Sequence, residues 1–159
     1  MDTSLIKHLD NLGINYKIHE HPPVFTVEEA KKLENKFIGV AHTKNLFLKD
    51  EAERFYLVCI QAGKRLNLKS LKEKINAKKK LSFGTEDQLK KTLHLTPGSV
   101  SIFGMIYAKD VILVIDKEIW QAKKVGFHPN VNTATLELTH EDLEKFINSL
   151  KLNPLILDL

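Results

Sequence analysis

Lys44, within His42-Thr43-Lys44-Asn45-Leu46-Phe47-Leu48, is the residue whose type and setting point most directly to chemistry. Side chains alternate between faces along a strand, so Lys44 stands in line with the apolar Leu46 and Leu48. Lysine is rarely buried unless paired. Its ammonium therefore either snorkels to water along its stem or reaches a pocket where a ligand supplies acceptors. His128 lies between Gly126 and Pro129, where a tightly turned backbone lets a ligand approach closely. An imidazole there can donate or accept a hydrogen bond at neutral pH, or it can be an ordinary surface histidine. Gly98 and Ser99, in Thr96-Pro97-Gly98-Ser99-Val100-Ser101, can offer main-chain N–H groups to an anionic or carbonyl oxygen, or simply close a Pro-Gly turn.

Positive charge is unevenly spread. The net charge of +4 is modest, but from Lys64 to Lys80 eight basic residues face one acid, Glu73. Lys64, Arg65, Lys69 and Lys72 lead this stretch and can track phosphates or form a solvated helix face. Several chemistries have no anchor, since GxGxxG, Walker, HExxH, CxxC and GxSxG patterns are all missing. His19 and His21 share a strand face but lack an obvious third ligand, so no metal is expected, nor any cofactor. Cys59 is the only cysteine and falls in an apolar strand, which excludes an internal disulfide and makes it a small core residue.

The elements that must position these groups read as a mixture of strands and scattered helices. Helices are expected over 3–12, from Thr26 to near Asn35 behind the capping box Thr26-Val27-Glu28-Glu29, from Asn67, from Thr85 behind a second box, and after Thr139. Ala30 and Leu33 are expected to face inward from the second of these. Strands are expected over 14–19, 37–49, 55–61, 81–83, 111–116 and 133–138, with the continuously apolar Val111–Ile115 run lying centrally. Without regular β-α alternation, the class is α+β with a mixed sheet. Length and composition (159 residues, 43% hydrophobic) imply one domain, no membrane span and a cytoplasmic default. That domain is set at 1–150, with 151–159 as a tail that is loose unless it docks.

His21-Pro22-Pro23-Val24-Phe25-Thr26, the Lys44 run, Lys80-Leu81-Ser82-Phe83, the Thr96–Ser101 turn and Gly126-Phe127-His128-Pro129-Asn130-Val131-Asn132-Thr133 occur in this order. On these blocks the chain resembles the YbaK/ProX family of aminoacyl-tRNA editing domains over about residues 3–150. The free-standing ProX type, similar to the editing insert of bacterial prolyl-tRNA synthetase, is the nearest branch. The resemblance implies a mixed, curved, barrel-like sheet flanked by helices and hydrolysis of mischarged tRNA, with alanine on proline tRNA as substrate and prolyl-tRNA synthetase as a candidate partner. Carried over by position, Lys44 matches the lysine that holds the substrate's 3′ end, and Asn45 and His128 match polar residues of the aminoacyl pocket. Gly98 and Ser99 fall in the loop facing that pocket, Phe25 in its apolar wall, and Gly126 at its backbone approach. The run Ser101–Met105 departs from the family where Ile102 replaces a usual proline.

A synthetase site built for proline cannot strongly reject smaller alanine, because each missing methylene is worth only about 1–3 kcal/mol. A second, smaller pocket can then accept alanine and exclude proline. The ester is already activated, and no nucleophile–base pair is present, so positioning a water and stabilising an oxyanion is the fitting mechanism. The family's use of the terminal 2′-hydroxyl to assist that water is implied with it. A noncatalytic tRNA- or synthetase-binding module is the alternative, and a Schiff-base lysine enzyme, trappable by borohydride, a third. Because strand neighbours point to opposite faces, Lys44 and Asn45 can share a pocket only if the backbone is irregular, so a bulge or strand start is expected near His42–Asn45.

Overall fold

The computed structural model describes residues 2–23, 27–34, 37 and 39–159, with only the main chain described at 27, 30 and 34. Phe25 and Thr26 lie outside the described residues, and so does the expected inward side chain of Ala30; Leu33 is partly buried.

Helix starts follow local chemistry. Asp2 caps α1 (Thr3–Asn11) by accepting from the N–H groups of Ser4 and Leu5 at 3.0 and 3.2 Å. Asn67 caps α3 (Leu68–Lys74) by accepting from Ser70 N–H. Thr85 opens α4 (Glu86–Leu93) with both halves of the capping box made, and Thr139 opens α6 (His140–Ser149). The helix α2 (Val27–Glu34) sits where the sequence places it. Two short elements carry no clear sequence signal, α5 (Lys117–Gln121) and a 3-10 turn at Ile102–Ile106. In the latter, the fully buried Ser101 accepts from Phe103 N–H at 3.2 Å, so the turn at Ile102 is built without proline.

Among the described residues, eight strands form one mixed sheet: β1 (Lys17–Glu20), β2 (Ala41–Lys49), β3 (Phe55–Gln61), β4 (Ser82–Phe83), β5 (Val111–Asp116), β6 (Lys124–Phe127), β7 (Ala134–Thr139) and β8 (Leu155–Leu157). Their order is β1-β7-β6-β2-β3-β5-β8, with β4 added beside β2. The class is therefore α+β, and β5 is interior as its unbroken apolar run requires. The segment set apart as a tail docks. β8 pairs parallel with β5, and Leu159 N–H reaches Asp116 Oδ1 at 3.2 Å. Ile156 packs on one core of the protein and Leu157 and Leu159 on the other.

β2 is the strand on which the sheet turns. β3 occupies one of its edges without interruption from Thr43↔Gln61 to Lys49↔Phe55. On the other edge, β6 pairs in parallel only at Ala41 and His42, and β4 in antiparallel only at Leu48 and Lys49. Between these two pairings no strand pairs with that edge of β2 among the described residues. The two faces of β2 serve different cores. Phe47 joins Leu57, Val125, Phe127 and Leu136, while Leu48 joins Tyr56, Val58, Ile60 and Leu71 of α3.

Candidate active site

Of the bulge or strand start expected near His42–Asn45, no bulge is present, and β2 begins at Ala41, just ahead of these residues. The regular register to β3 places Lys44 opposite Ile60 and Asn45 opposite Cys59, so the two side chains leave opposite faces of the sheet. Lys44, partly buried, stands on the face of Leu46 and Leu48. Asn45, 8% exposed, stands on the face of Phe47, and its Oδ1 is buried without a hydrogen-bond partner among the described residues.

Strand geometry directs the main chain of Asn45 to the edge of β2 away from β3. Ala62 N–H donates to His42 carbonyl at 2.8 Å, which makes even-numbered residues of β2 the ones that bond towards β3. Odd-numbered residues then direct N–H and C=O to the other edge, as Gly84 N–H donating to Phe47 carbonyl at 2.9 Å bears out. Asn45 thus presents its peptide groups to the unpaired stretch between β6 and β4. The sequence's adjacent Lys-Asn pair supplies a side-chain cation on one face and main-chain polar groups at the edge.

Lys44 and His128 are brought together by β6. The parallel pairs Ala41↔Val125 and His42↔Gly126, continued two residues, bring Lys44 level with His128 on the same face. Thr43 Oγ1 keeps the strands together beyond their pairing by donating to Gly126 carbonyl at 2.8 Å. The antiparallel β6–β7 register, continued one residue past Phe127↔Leu136, sets Thr135 beside His128, and β1 pairs His19 with Thr135. One row across four strands therefore reads Lys44, His128, Thr135, His19, spanning about 14 Å at the usual strand spacing.

Contacts around this row hold the imidazoles in place. His128 Nδ1 lies 3.1 Å from Ala134 carbonyl oxygen. His21 Nε2 lies 2.9 Å from Thr135 Oγ1, and the rings of His21 and His128 are 6.3 Å apart. His19 Nε2 is 3.5 Å from Glu137 Oε1, and Phe37 lies over both His19 and His42, with ring centroids 4.4 and 5.4 Å away. Burial lowers the pKa of His128, the Ala134 carbonyl opposes this, and the neighbouring His21 adds to the lowering. Four of the seven histidines thus sit on one sheet face. Among the described residues, no group of three His, Cys, Asp or Glu is arranged to hold a metal ion.

Gly126 is closely packed by side chains. A Cβ built on it meets Thr135 Cγ2 at 3.1 Å, Val40 Cγ1 at 3.3 Å and His42 Nδ1 at 3.8 Å, all on the Lys44 face. Its lack of a side chain leaves room between His42 and Thr135 on that face.

Other expected residues have local duties. Gly98 has φ +88°, and Ser99 N–H donates to Thr96 carbonyl at 3.1 Å, a type II turn with Pro97 and Gly98 at its centre. The Ser99 N–H is therefore engaged within the turn and not offered to a ligand oxygen. Lys64 Nζ is 3.0 Å from the fully buried Asp116 and 3.5 Å from Glu118, so its charge is matched inside the protein. Arg65, Lys69 and Lys72 form no such ion pair among the described residues. Cys59 is buried with its thiol pKa pushed up, first by burial and then by Asp116, which leaves it an inert core residue.

Sequence reasoning did not find His42, Thr135, Glu137 or Phe37 as neighbours of the site. His42 adjoined Lys44 in the sequence and alternated onto its face, a signal that was available. Thr135 and Glu137 enter only through the pairing of β7 with β6 and β1, which local patterning does not encode.

Lys44 and His128 thus set a cation and an imidazole on one sheet face, beside an edge of β2 that no strand pairs among the described residues. The aminoacyl-tRNA editing domain family matches residues 21–146, and the chain belongs to that family. It is 42% identical to the prolyl-tRNA editing protein ProX of Acetoanaerobium sticklandii over 149 residues, covering 92% of this chain and 90% of that one. It is 34% identical to the prolyl-tRNA synthetase associated domain-containing protein 1 of Danio rerio, covering 96% and 84%. A crystal structure of a candidate trans-editing enzyme for prolyl tRNA synthetase shares the fold at TM-score 0.76 and 18% identity, covering 100% of this chain and 98% of that one. No helix among the described residues is long and apolar enough to cross a membrane.

Proposed function

We propose that this protein is a trans-editing hydrolase that cleaves the aminoacyl ester of mischarged tRNA, with alanine on proline tRNA as its substrate. The observation that carries the proposal is the placement of Lys44 level with His128 on one sheet face, beside the unpaired edge of β2. The relatives are named for prolyl-tRNA editing or for prolyl-tRNA synthetase, and that synthetase is the proposed source of the mischarged tRNA. The proposed place of action is the cytoplasm, where translation draws on charged tRNA.

Lys44 serves as an electrostatic anchor for the phosphate of the terminal nucleotide. His128 donates from Nδ1 to the Ala134 carbonyl, so in its neutral form Nε2 is an acceptor. That acceptor orients either the attacking water or the substrate's 2′-hydroxyl. Asn45 N–H, at the open strand edge, is placed to receive the oxyanion that develops on the ester carbonyl. Water adds to the carbonyl carbon and the bond to the ribose 3′ oxygen breaks. The water's proton passes through the 2′-hydroxyl to that 3′ oxygen, releasing alanine and intact tRNA. Selection against proline follows from cavity size, as a second sieve requires.

Deacylation of Ala-, Ser- and Pro-charged proline tRNA by wild type and Lys44→Ala tests the function. Hydrolysis of the alanyl substrate above the others, reduced by about a hundredfold or more in Lys44→Ala, is the expected result. A wild type that binds the tRNA and turns over none of the three substrates is instead a noncatalytic module of the same fold.

A further inference from the structure

The motif Lys80-Leu81-Ser82-Phe83 takes no part in the hydrolysis, yet it exposes an aromatic ring. Phe83 is 59% exposed, more than Ile18 and Leu155, the other exposed large apolar side chains among the described residues. It belongs to β4, whose whole pairing is Leu48↔Phe83 and Lys49↔Ser82. Registered partners share a face, so Phe83 stands on the side of Leu48, which is also the side of Lys44. Leu81, two residues earlier, is buried on that side in the core that contains Leu71 of α3. The strand thus passes from beneath α3 into the open and leaves one ring uncovered.

Positive charge gathers where the chain enters this strand. A cavity of about 520 Å³ between α3 and the entry to β4 is lined by Leu68, Lys69, Lys72, Glu73, Lys80 and Leu81. Lys69, Lys72 and Lys80 form no ion pair among the described residues, in contrast to Lys64. Four residues of extended strand separate Lys44 from Leu48, about 13 Å. That distance is the reach of an extended dinucleotide. An uncovered aromatic just past a cavity lined by unpaired lysines offers a single-stranded nucleic acid a π-face for a base and cations for its phosphates.

We propose that Phe83 is a stacking platform for a base of the single-stranded 3′ end of the tRNA, upstream of the terminal adenosine, with Lys69, Lys72 and Lys80 taking the adjoining phosphates. It deepens the editing function proposed above and rests on it, because Lys44 places the terminal nucleotide. Phe83 contributes to capture of the strand and not to the cleavage itself.

Equilibrium binding of labelled, uncharged proline tRNA, intact and trimmed of its three terminal nucleotides, provides the test at fixed salt. Phe83→Ala is expected to weaken the intact tRNA about tenfold and leave the trimmed one unchanged, while Phe83→Trp binds as wild type. On alanyl-adenosine, which lacks the upstream bases, Phe83→Ala is expected to match wild-type turnover. Wild-type affinity of Phe83→Ala for intact tRNA, or equal losses on intact and trimmed tRNA, overturns the platform. Because binding is read without turnover, a protein that shows this pattern but hydrolyses nothing retains the platform and loses the hydrolase function.

Discussion

His128 Nδ1 lies 3.1 Å from the carbonyl oxygen of Ala134, across the turn that joins β6 to β7. A carbonyl can only accept, so the bond requires the proton on Nδ1 and leaves Nε2 as the acceptor whenever the ring is neutral. The same turn carries Asn130, at φ +61°, whose Nδ2 donates to Asp2 at 2.9 Å. Asp2 also accepts from Tyr107 hydroxyl at 2.8 and 2.9 Å. The first helix and the segment before β5 therefore brace the loop that holds the imidazole.

Activity should follow the neutral form of His128. Burial, aided by His21, lowers its pKa, so the neutral ring predominates at pH 7 and the acceptor is lost as pH falls through the lowered value. Turnover of the alanyl substrate is expected to be flat near pH 7 and to drop on the acid side, with a midpoint below about 6.5. His128→Gln should abolish that acid limb along with most of the rate. A profile for wild type that still rises steeply above pH 7 would remove His128 from the acceptor role.

Lys64 and its neighbours should separate cleanly. Asp116 is fully buried, and Lys64 and the main chain of Leu159 are its partners. Lys64→Met strands that carboxylate and is expected to lower stability by about 2 kcal/mol, reduced from the fully buried case because Lys64 is partly open to water. Its effect on the salt dependence of tRNA binding should be small. Arg65→Ala, Lys69→Ala or Lys72→Ala should each flatten that dependence by about 0.7–0.9 of a unit in slope while leaving stability nearly unchanged. Denaturant melts and salt-titrated binding of the four variants check both halves.

The β2–β3 turn is organised by one carboxylate. Asp50 Oδ1 accepts from Ala52 and Arg54 N–H, and Oδ2 from Arg54 Nε, Tyr56 hydroxyl and Lys78 N–H, at 2.9–3.2 Å. Burial alone would raise its pKa, but these donors outweigh burial and hold it at about 2, against an ordinary 3.8. A depressed carboxylate stabilises the fold above its unfolded-state pKa and ceases to do so as pH falls through the folded value. About 2 kcal/mol of stability should therefore be lost between pH 4 and pH 2. Asp50→Asn should cost about 3 kcal/mol at pH 7 and remove this acid-dependent loss, as urea melts at pH 7 and pH 3 would show.

Much of the fold was legible because its causes are local. The Thr85 capping box, the Asn67 and Thr139 caps and the type II turn at Thr96–Ser99 are satisfied within a few residues, so each could be read from neighbouring letters. Lys44 as a cation entering an apolar line, and His128 beside Gly126, were also visible, because strand alternation and glycine spacing are one-dimensional facts.

By itself, then, the sequence determined the α+β class, the family and the identity of the two residues that its blocks single out. Only the tertiary structure decided where their neighbours point. Asn45 turns its side chain to the core while its peptide faces the other edge of β2 because β3 holds β2 in unbroken register. Lys64 is drawn inward by a carboxylate on β5, and residues 155–157 become a strand because β5 has a free edge to pair. His19, His21, His42 and Thr135 gather on one sheet face through three strand pairings between distant segments. Each of these outcomes depends on which edge meets which. That choice is made by burying apolar faces across the whole sheet, and no short window of residues contains it.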